Sequence, residues 1–455
     1  MLSRNGPTGS VNGPIWPDLG ATMRLALPLI ASQVAGFGTN IVEVVLAGHL
    51  GPEVLGAVAV GNNVWMIPLM AVVGTMMAVP PSIAQLDGAG RRQDIAAMFR
   101  QGLFLAIALG LGMGALVFAV SGLIGPIFGI DPALHGDIAA FLRAVACGGP
   151  ALGISVACNG LANGASRPRV TMIANIAAVL LLIPVAWALM YGRLGLPALG
   201  AFGSGLANSI VLWTQALCML GFVRFSPRFA DLGWDRGRVA PDWRVIRGLL
   251  RVGVPMSVSV VLEVGMFSTV GVMIGGLGAI AVASHQIVLN VAALSFMVPL
   301  GLSVAITVRV GNAVGRGDRA GVRRAGLIGL WLALFVQAIS SSLMLIFPTS
   351  ILGIYTDDAA VIQGALALLV IAAIFQISDG IQVAASGALR GMKDTMVPML
   401  ITAIAYWGAG VPVGWYLAFK MGLGAPGMWM GMVAGLSVAA LLLTARFVIR
   451  TRKMG

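Results

Sequence analysis

The chain has 455 residues, 58% of them hydrophobic and 10% charged, with 62 Gly, 24 Met and a formal net charge of +12. A soluble domain carries roughly 25% charged residues, so 28 Lys and Arg with 16 Asp and Glu cannot clothe a water-exposed shell of this length. A soluble enzyme is excluded, and the even spread of apolar residues from 24 to 449 excludes one or two spans carrying an aqueous domain.

Residues 1–23 are polar and Gly/Pro-rich and lack the apolar core of a cleaved signal. They are expected to form a cytoplasmic segment before the first permanent span. Twelve apolar stretches of helical length follow, at about 24–47, 54–84, 101–124, 137–159, 170–191, 201–223, 253–274, 280–308, 325–347, 359–388, 397–419 and 427–448. Stretches such as 102–122 and 360–377 are apolar on every side for about 20 residues, the length of a membrane-crossing helix. Barrel strands would instead alternate in polarity over about ten. The expected fold is an all-α polytopic membrane protein of 12 transmembrane helices.

Basic residues orient it. With the N-terminus in the cytoplasm, 25 of the 28 Lys and Arg fall inside, and only Arg143, Arg193 and Lys420 lie at or near the outer side. The acidic turns Asp131/Asp137 and Asp357/Asp358 are also outside. This is the positive-inside pattern, and an even span count returns the C-terminus to the cytoplasm. A pI near 10.9 is thereby explained as a topology signal, with no nucleic acid needed as a partner.

The chain repeats internally. Placing Arg24 on Arg251, an offset of about 227 residues, also aligns Pro28 with Pro255, Ser32 with Ser259, Gly48 with Gly275, Asn63 with Asn290 and Gly74 with Gly301. Residues 24–92 contain 17 such identities, and the offset returns at Gly153 with Gly380, Gly160 with Gly387 and Gly195-Leu196 with Gly422-Leu423. Pro, Asn and Gly matched in fixed register each carry a backbone or packing meaning. Six spans separate equivalent positions, so the expectation is two pseudo-symmetric six-helix lobes in a parallel repeat, an arrangement that in transporters places substrate between the halves. The segments are then 1–23, an N-lobe 24–223, an Arg-rich cytoplasmic connector 224–252 with Arg236 and Arg238 among its seven arginines, a C-lobe 253–448, and a cytoplasmic tail 449–455.

Cys147, Cys158 and Cys218 all fall in apolar stretches without paired spacing, and are expected to be small buried residues rather than disulfides or ligands. His49, His135 and His285 show no ligand spacing. The informative groups are acids inside the bilayer, where a charge costs on the order of 3 kcal/mol or more. Glu263 lies about ten residues into the seventh span, and Asp379 lies in the tenth, about eleven before Arg390. Neither has a basic residue within a helical turn or two, so no local i,i+4 ion pair accounts for it. Each must find a partner on another helix, take up a proton or bind a cation. Glu43 lies a turn or two from the outer end of the first span, and under the repeat it aligns with Val270, so the acids are not symmetric. Gln33, Asn40, Asn62, Asn63, Asn175, Gln286, Asn290 and Gln382 supply amide oxygens within spans, for a ligand or for interhelical hydrogen bonds. The loop GNAVGRGDRAGVRRAG (311–326) is similar to the Gly/Arg signature of the major facilitator superfamily, but it follows the eighth span and has Val314 where that signature has Gly.

The blocks LALPLIASQ and VEVVLAGHLG in the first span, ASHQIVLNVAALSFMVPLGLSVAITVRVGNAVGRGD (283–318) and SDGIQVAASGALRGMKDT (378–395) resemble the multidrug and toxic compound extrusion (MATE) family, and its NorM-type branch in particular. The resemblance implies a secondary antiporter of a bacterial inner membrane, not an enzyme, which exports organic cations and hydrophobic drugs against inward Na⁺ or H⁺. No cofactor is implied. The partners are cationic drugs, the coupling ion and the lipid bilayer, with the chain a monomer. Glu263 and Asp379 match the acids of the C-terminal cation site, where Na⁺ would bind. Glu43 stands where bacterial members usually have Asp, and Asn175 resembles the Asn that accompanies it. With Gln286 and Asn290 these two are candidates for a substrate or second cation site. Val179 stands where another branch has an acid. The alternative within the superfamily is a flippase of lipid-linked saccharides.

Overall fold

The computed structural model describes residues 15–193, 195, 197–235 and 240–453. Arg4, Leu196, Arg236 and Arg238 lie outside them. In a bilayer every backbone N–H and C=O must be paired within the chain, which leaves helices or closed barrels. The described residues form helices, with no strand among them. Helix α1 runs over Ile15–Leu50, α2 over Pro52–Gly88 and α3 over Arg92–Val120. Helix α4 is a pair, Pro132–Ala146 and Gly149–Gly164, bent by 45°. Then come α5 (Pro168–Tyr191), α6 (Gly200–Phe225), α7 (Trp243–Gly275), α8 (Ala279–Gly315), α9 (Arg319–Ile346), α10 (Ala359–Gly391), α11 (Met396–Lys420) and α12 (Gly424–Arg452). Eleven are each long and apolar enough to span a membrane, and the bent pair makes a twelfth.

Departures from the expected spans have local causes. Helix α1 begins well before residue 24, because Asp18 and Thr22 are held by Arg309 of α8 and Arg324 of α9. Asp18 accepts from Arg309 and from Arg324, each at 2.6 Å, and Thr22 accepts from Arg309. The kink in α4 falls at Cys147-Gly148, where Pro150 has no N–H to return to Ala146. Gly149 there lies so close to α3 that a Cβ would stand 2.5 Å from the Gly110 carbonyl oxygen. Within α2, Pro80 and Pro81 likewise interrupt the ladder after Met77. Helix α11 contains two π-helical stretches, Ile404–Gly410 and Tyr416–Lys420. Cys158 is buried, whereas Cys147 and Cys218 are exposed. That corrects the expectation of three buried thiols: on a membrane-facing helix surface a small apolar side chain meets no water and need not be covered by protein.

The chain divides into two compact units, one of residues 1–30 and 258–455, the other of residues 31–257. In the 31–257 unit the core gathers around Phe99, Phe141, Leu142 and Met190. The connector is part of that core. Phe229 and Leu232 are fully buried, and Trp234 stands edge-on to Phe99 at 6.0 Å. Arg100 donates to the Trp234 carbonyl at 2.8 Å. Asp231 and Asp87 take up Arg92 at 2.9 and 3.1 Å.

In the other unit Tyr406, Trp429, Leu436 and Phe447 centre the core. Asp394 closes its Arg-rich end by binding Arg446 at 2.9 Å and Arg450 at 3.1 Å. Helices α11 and α12 approach through small residues, and a Cβ at Gly431 would collide with the Gly414 Cα. Backbone has nowhere to go there. Gly431→Ala is expected to force the pair apart at a cost of about 1–3 kcal/mol, read as a lower thermal midpoint of the detergent-purified protein.

Candidate functional site

Phe267 of α7 and Phe375 of α10 meet edge-on at 5.9 Å between ring centres. Glu263 lies four residues before Phe267 and Asp379 four residues after Phe375, so each acid is one turn from the contact on the same helix face. Three crossings separate α7 from α10, which makes them antiparallel and puts both acids on the same side of the aromatic pair. The two carboxylates interact electrostatically. Phe375 also stands edge-on to Trp429 of α12 at 5.6 Å, and the Trp429 indole donates to Nδ1 of His285 on α8 at 3.1 Å. Four helices thus roof the acids with aromatic rings.

The two acids differ in their surroundings. Asp379 is 3% exposed, and its Oδ1 has no hydrogen-bond partner. Glu263 is half-buried and feels the positive charge of Arg390, whose guanidinium also donates to the Ser303 hydroxyl on α8. Arg390 lies eleven residues from Asp379, about 16 Å along α10, which is why a search for basic neighbours along the helix passes over it. Beside the acids, Gln337 of α9 donates to the Gln376 amide oxygen at 2.7 Å. Gln376 in turn donates to the Ala292 carbonyl at 3.0 Å. That buried ladder fixes the face of α10 from which Asp379 projects one turn later. Carboxylate oxygens suit a hard cation. Among the described residues no three of His, Cys, Asp and Glu come together as ligands, so any further donors to a cation here are neutral oxygens.

Gln286 and Asn290 lie one turn apart on α8. Both are exposed on one face of α8, and the Asn290 side chain donates to the Gln286 carbonyl of its own helix at 2.9 Å. Asn40 and Asn63 mark similar exposed positions on α1 and α2.

Glu43 and Asn175 belong to the 31–257 unit and stand apart within it. Glu43 is 5% exposed. One of its oxygens accepts from Asn62 of α2 at 2.7 Å, and the other accepts from Asn208 of α6. Asn175 donates to Ser32 of α1 at 2.6 Å and accepts from Gln215 of α6 at 2.6 Å. Ser32 and Glu43 are eleven residues apart on one helix, about 16 Å, so these are two separate polar knots. Both are built from residues on three helices, and they pair both oxygens of Glu43 and both ends of the Asn175 amide.

Arg390, Asn208 and Gln215 take part in these contacts without having been expected there. Asn208 and Gln215 carried a signal, being amides inside the sixth span like those singled out elsewhere.

The MatE family model matches the chain twice, over residues 28–188 and 255–416. The matched segments begin at Pro28 and Pro255, a pair already aligned by the internal repeat. A protein of Xanthomonas campestris pv. campestris named "probable multidrug resistance protein NorM" is 41% identical over 437 residues, covering 96% of this chain and 95% of that protein. The multidrug resistance protein PmpM of Pseudomonas aeruginosa is 38% identical over 446 residues, covering 96% and 92%. Among solved structures, the eukaryotic MATE transporter AtDTX14 superposes with a TM-score of 0.87 at 17% identity, covering 97% of this chain and 98% of that one. A MATE P26A mutant gives 0.89 at 18% identity, covering 99% of each. Two matches to the family model, two bacterial relatives similar over almost their whole length and the shared fold lead to one assignment: this chain belongs to the MatE family of membrane transporters.

Proposed function

We propose that the chain is a secondary active antiporter of a bacterial inner membrane, with both termini cytoplasmic, which exports organic cations and hydrophobic drugs in exchange for inward Na⁺ or H⁺. The observation that carries the proposal is the Glu263 and Asp379 pair, two like charges interacting inside a membrane-buried unit with Asp379 Oδ1 left without a partner. Each intramembrane charge costs on the order of 3 kcal/mol, and mutual repulsion adds to that. Arg390 offsets one of the two through Glu263. The remaining negative charge is relieved by one positive charge from elsewhere.

A coupling cation and a cationic drug both supply that charge, so occupancy by one weakens the hold on the other. This competition becomes exchange when the two ligands favour different arrangements of the halves, and alternating access then carries one outward and the other inward. The names of the curated relatives support drugs as the exported class. The chain acts as a monomer in this scheme, with no bound cofactor. The test is ethidium export from proteoliposomes under an imposed Na⁺ gradient and, separately, under an imposed pH gradient. Export driven by at least one gradient is expected, and the gradient that works names the ion. Export that needs neither would end the proposal.

A further inference from the structure

Tyr406 is fully buried, and its hydroxyl has no hydrogen-bond partner. A phenylalanine would fill the same space without the cost of desolvating an unpaired O–H, so packing alone does not account for a tyrosine there. Its location does. The next residue, Trp407, donates its indole N–H to the carbonyl of Leu262 at 3.2 Å, and Leu262 immediately precedes Glu263. Helix α11 is thereby clamped to α7 at the level of the acid, and Gly265 lets the Trp407 ring lie within 3.3 Å of where a Cβ would be. Tyr406 interacts electrostatically with both Glu263 and Asp379.

The backbone around it is wound as π-helix over Ile404–Gly410. Such a turn carries an extra residue and rotates the side chains that follow, and it recurs at functional positions in helices. One further oxygen is left over nearby in sequence. Gln382, one turn from Asp379 on α10, is 3% exposed, and its Oε1 has no partner. Buried polar atoms are nearly always satisfied, and those that are not point to a bound ion or to water.

We propose that the Tyr406 hydroxyl is a third, neutral oxygen of the cation site begun by Glu263 and Asp379, with Gln382 Oε1 as a fourth. The inference rests on the coupling role given to the two acids above. With Na⁺ the hydroxyl oxygen is a ligand. With H⁺ the hydroxyl forms the hydrogen bond that orients the carboxyl group receiving the proton. In either case it touches the exchanged charge and not the drug.

The experiment measures half-saturation of the driving ion in ethidium export, and ethidium affinity, for wild type, Tyr406→Phe, Tyr406→His and Asp379→Asn in proteoliposomes under both gradients. Losing one oxygen on a charge is worth roughly a factor of ten. Tyr406→Phe is therefore expected to raise half-saturating Na⁺ about tenfold, or to shift the proton dependence by about one pH unit, with ethidium affinity unchanged. Tyr406→His, which keeps a polar atom on a smaller ring, recovers part of the ion affinity, whereas a packing role predicts that it does worse than Phe. It also reads the ion dependence if Tyr406→Phe does not accumulate. Wild-type ion dependence in Tyr406→Phe, together with loss of ion drive in Asp379→Asn, overturns the role of Tyr406 and leaves the coupling pair standing. Wild-type ion drive in Asp379→Asn overturns both.

Discussion

Asp379→Asn is expected to bring ion-driven export down to passive leak. The substitution keeps the volume and one carbonyl oxygen but removes the charge that the coupling ion neutralises. An uncompensated intramembrane charge is worth on the order of 3 kcal/mol, more than a hundredfold in ion occupancy, and this is the loss expected in transport at fixed ion concentration. Glu263→Gln is expected to be milder, because Arg390 already answers part of the Glu263 charge while Asp379 Oδ1 has no partner to lose. The ordering is itself a test. Equal or reversed severity of the two variants, measured on ethidium export at matched protein, would contradict the asymmetry of the site, and wild-type rates in both would remove the pair from coupling altogether.

The second large effect is on stability. Glu43 holds three helices of its unit together through amide donors from Asn62 and Asn208. Glu43→Leu takes the carboxylate acceptor from two half-buried amides and leaves Asn208 only a 3.4 Å bond to the Ser204 carbonyl, and hydrogen bonds to a charged group are each worth about 1.5–3 kcal/mol. The expected loss is on the order of 3 kcal/mol or more, seen as a marked fall in thermal midpoint and in the amount of folded protein. Glu43→Gln retains one acceptor oxygen but turns its own NH₂ toward one of the two donors, so about half of the loss is expected. A Glu43→Gln protein with unchanged stability and abolished transport would show that this carboxylate serves transport and not the joining of helices.

The fold class was readable because hydropathy and charge placement act over whole helices. Twenty apolar residues can do little other than span, and the spans emerge within a few residues of expectation along most of the chain. Hydropathy averages failed where one residue overrules its neighbours. Asp18 extends α1 because two arginines from distant helices meet it, and no window of sequence contains that meeting. The kink of α4 was written in Gly148-Gly149-Pro150, but a span-length average smooths it away. Charge scarcity made Glu263 and Asp379 visible in the sequence. Tyr406 was invisible because its ring satisfies every rule for an apolar span, and only the burial of an unpaired hydroxyl distinguishes it. Arg390 was visible as a helix-end arginine, but its action on Glu263 follows from packing between helices.

The division of the chain into units has a consequence for its connectivity. The opening turns of α1 group with residues 258–455, and the opening turns of α7, up to Ser257, group with residues 31–242. The two switch points, after Ile30 and after Ser257, fall at equivalent positions of the internal repeat. A break anywhere in the loop between α6 and α7 therefore produces two fragments, neither of which contains a whole unit. The second fragment keeps Arg309 and Arg324 but lacks Asp18, the carboxylate that both of them grip. Reassembly of a split transporter would be reciprocal complementation, each fragment contributing its leading segment to the bundle begun by the other. A half-length chain made alone could complete its own bundle only by borrowing that segment from a second copy.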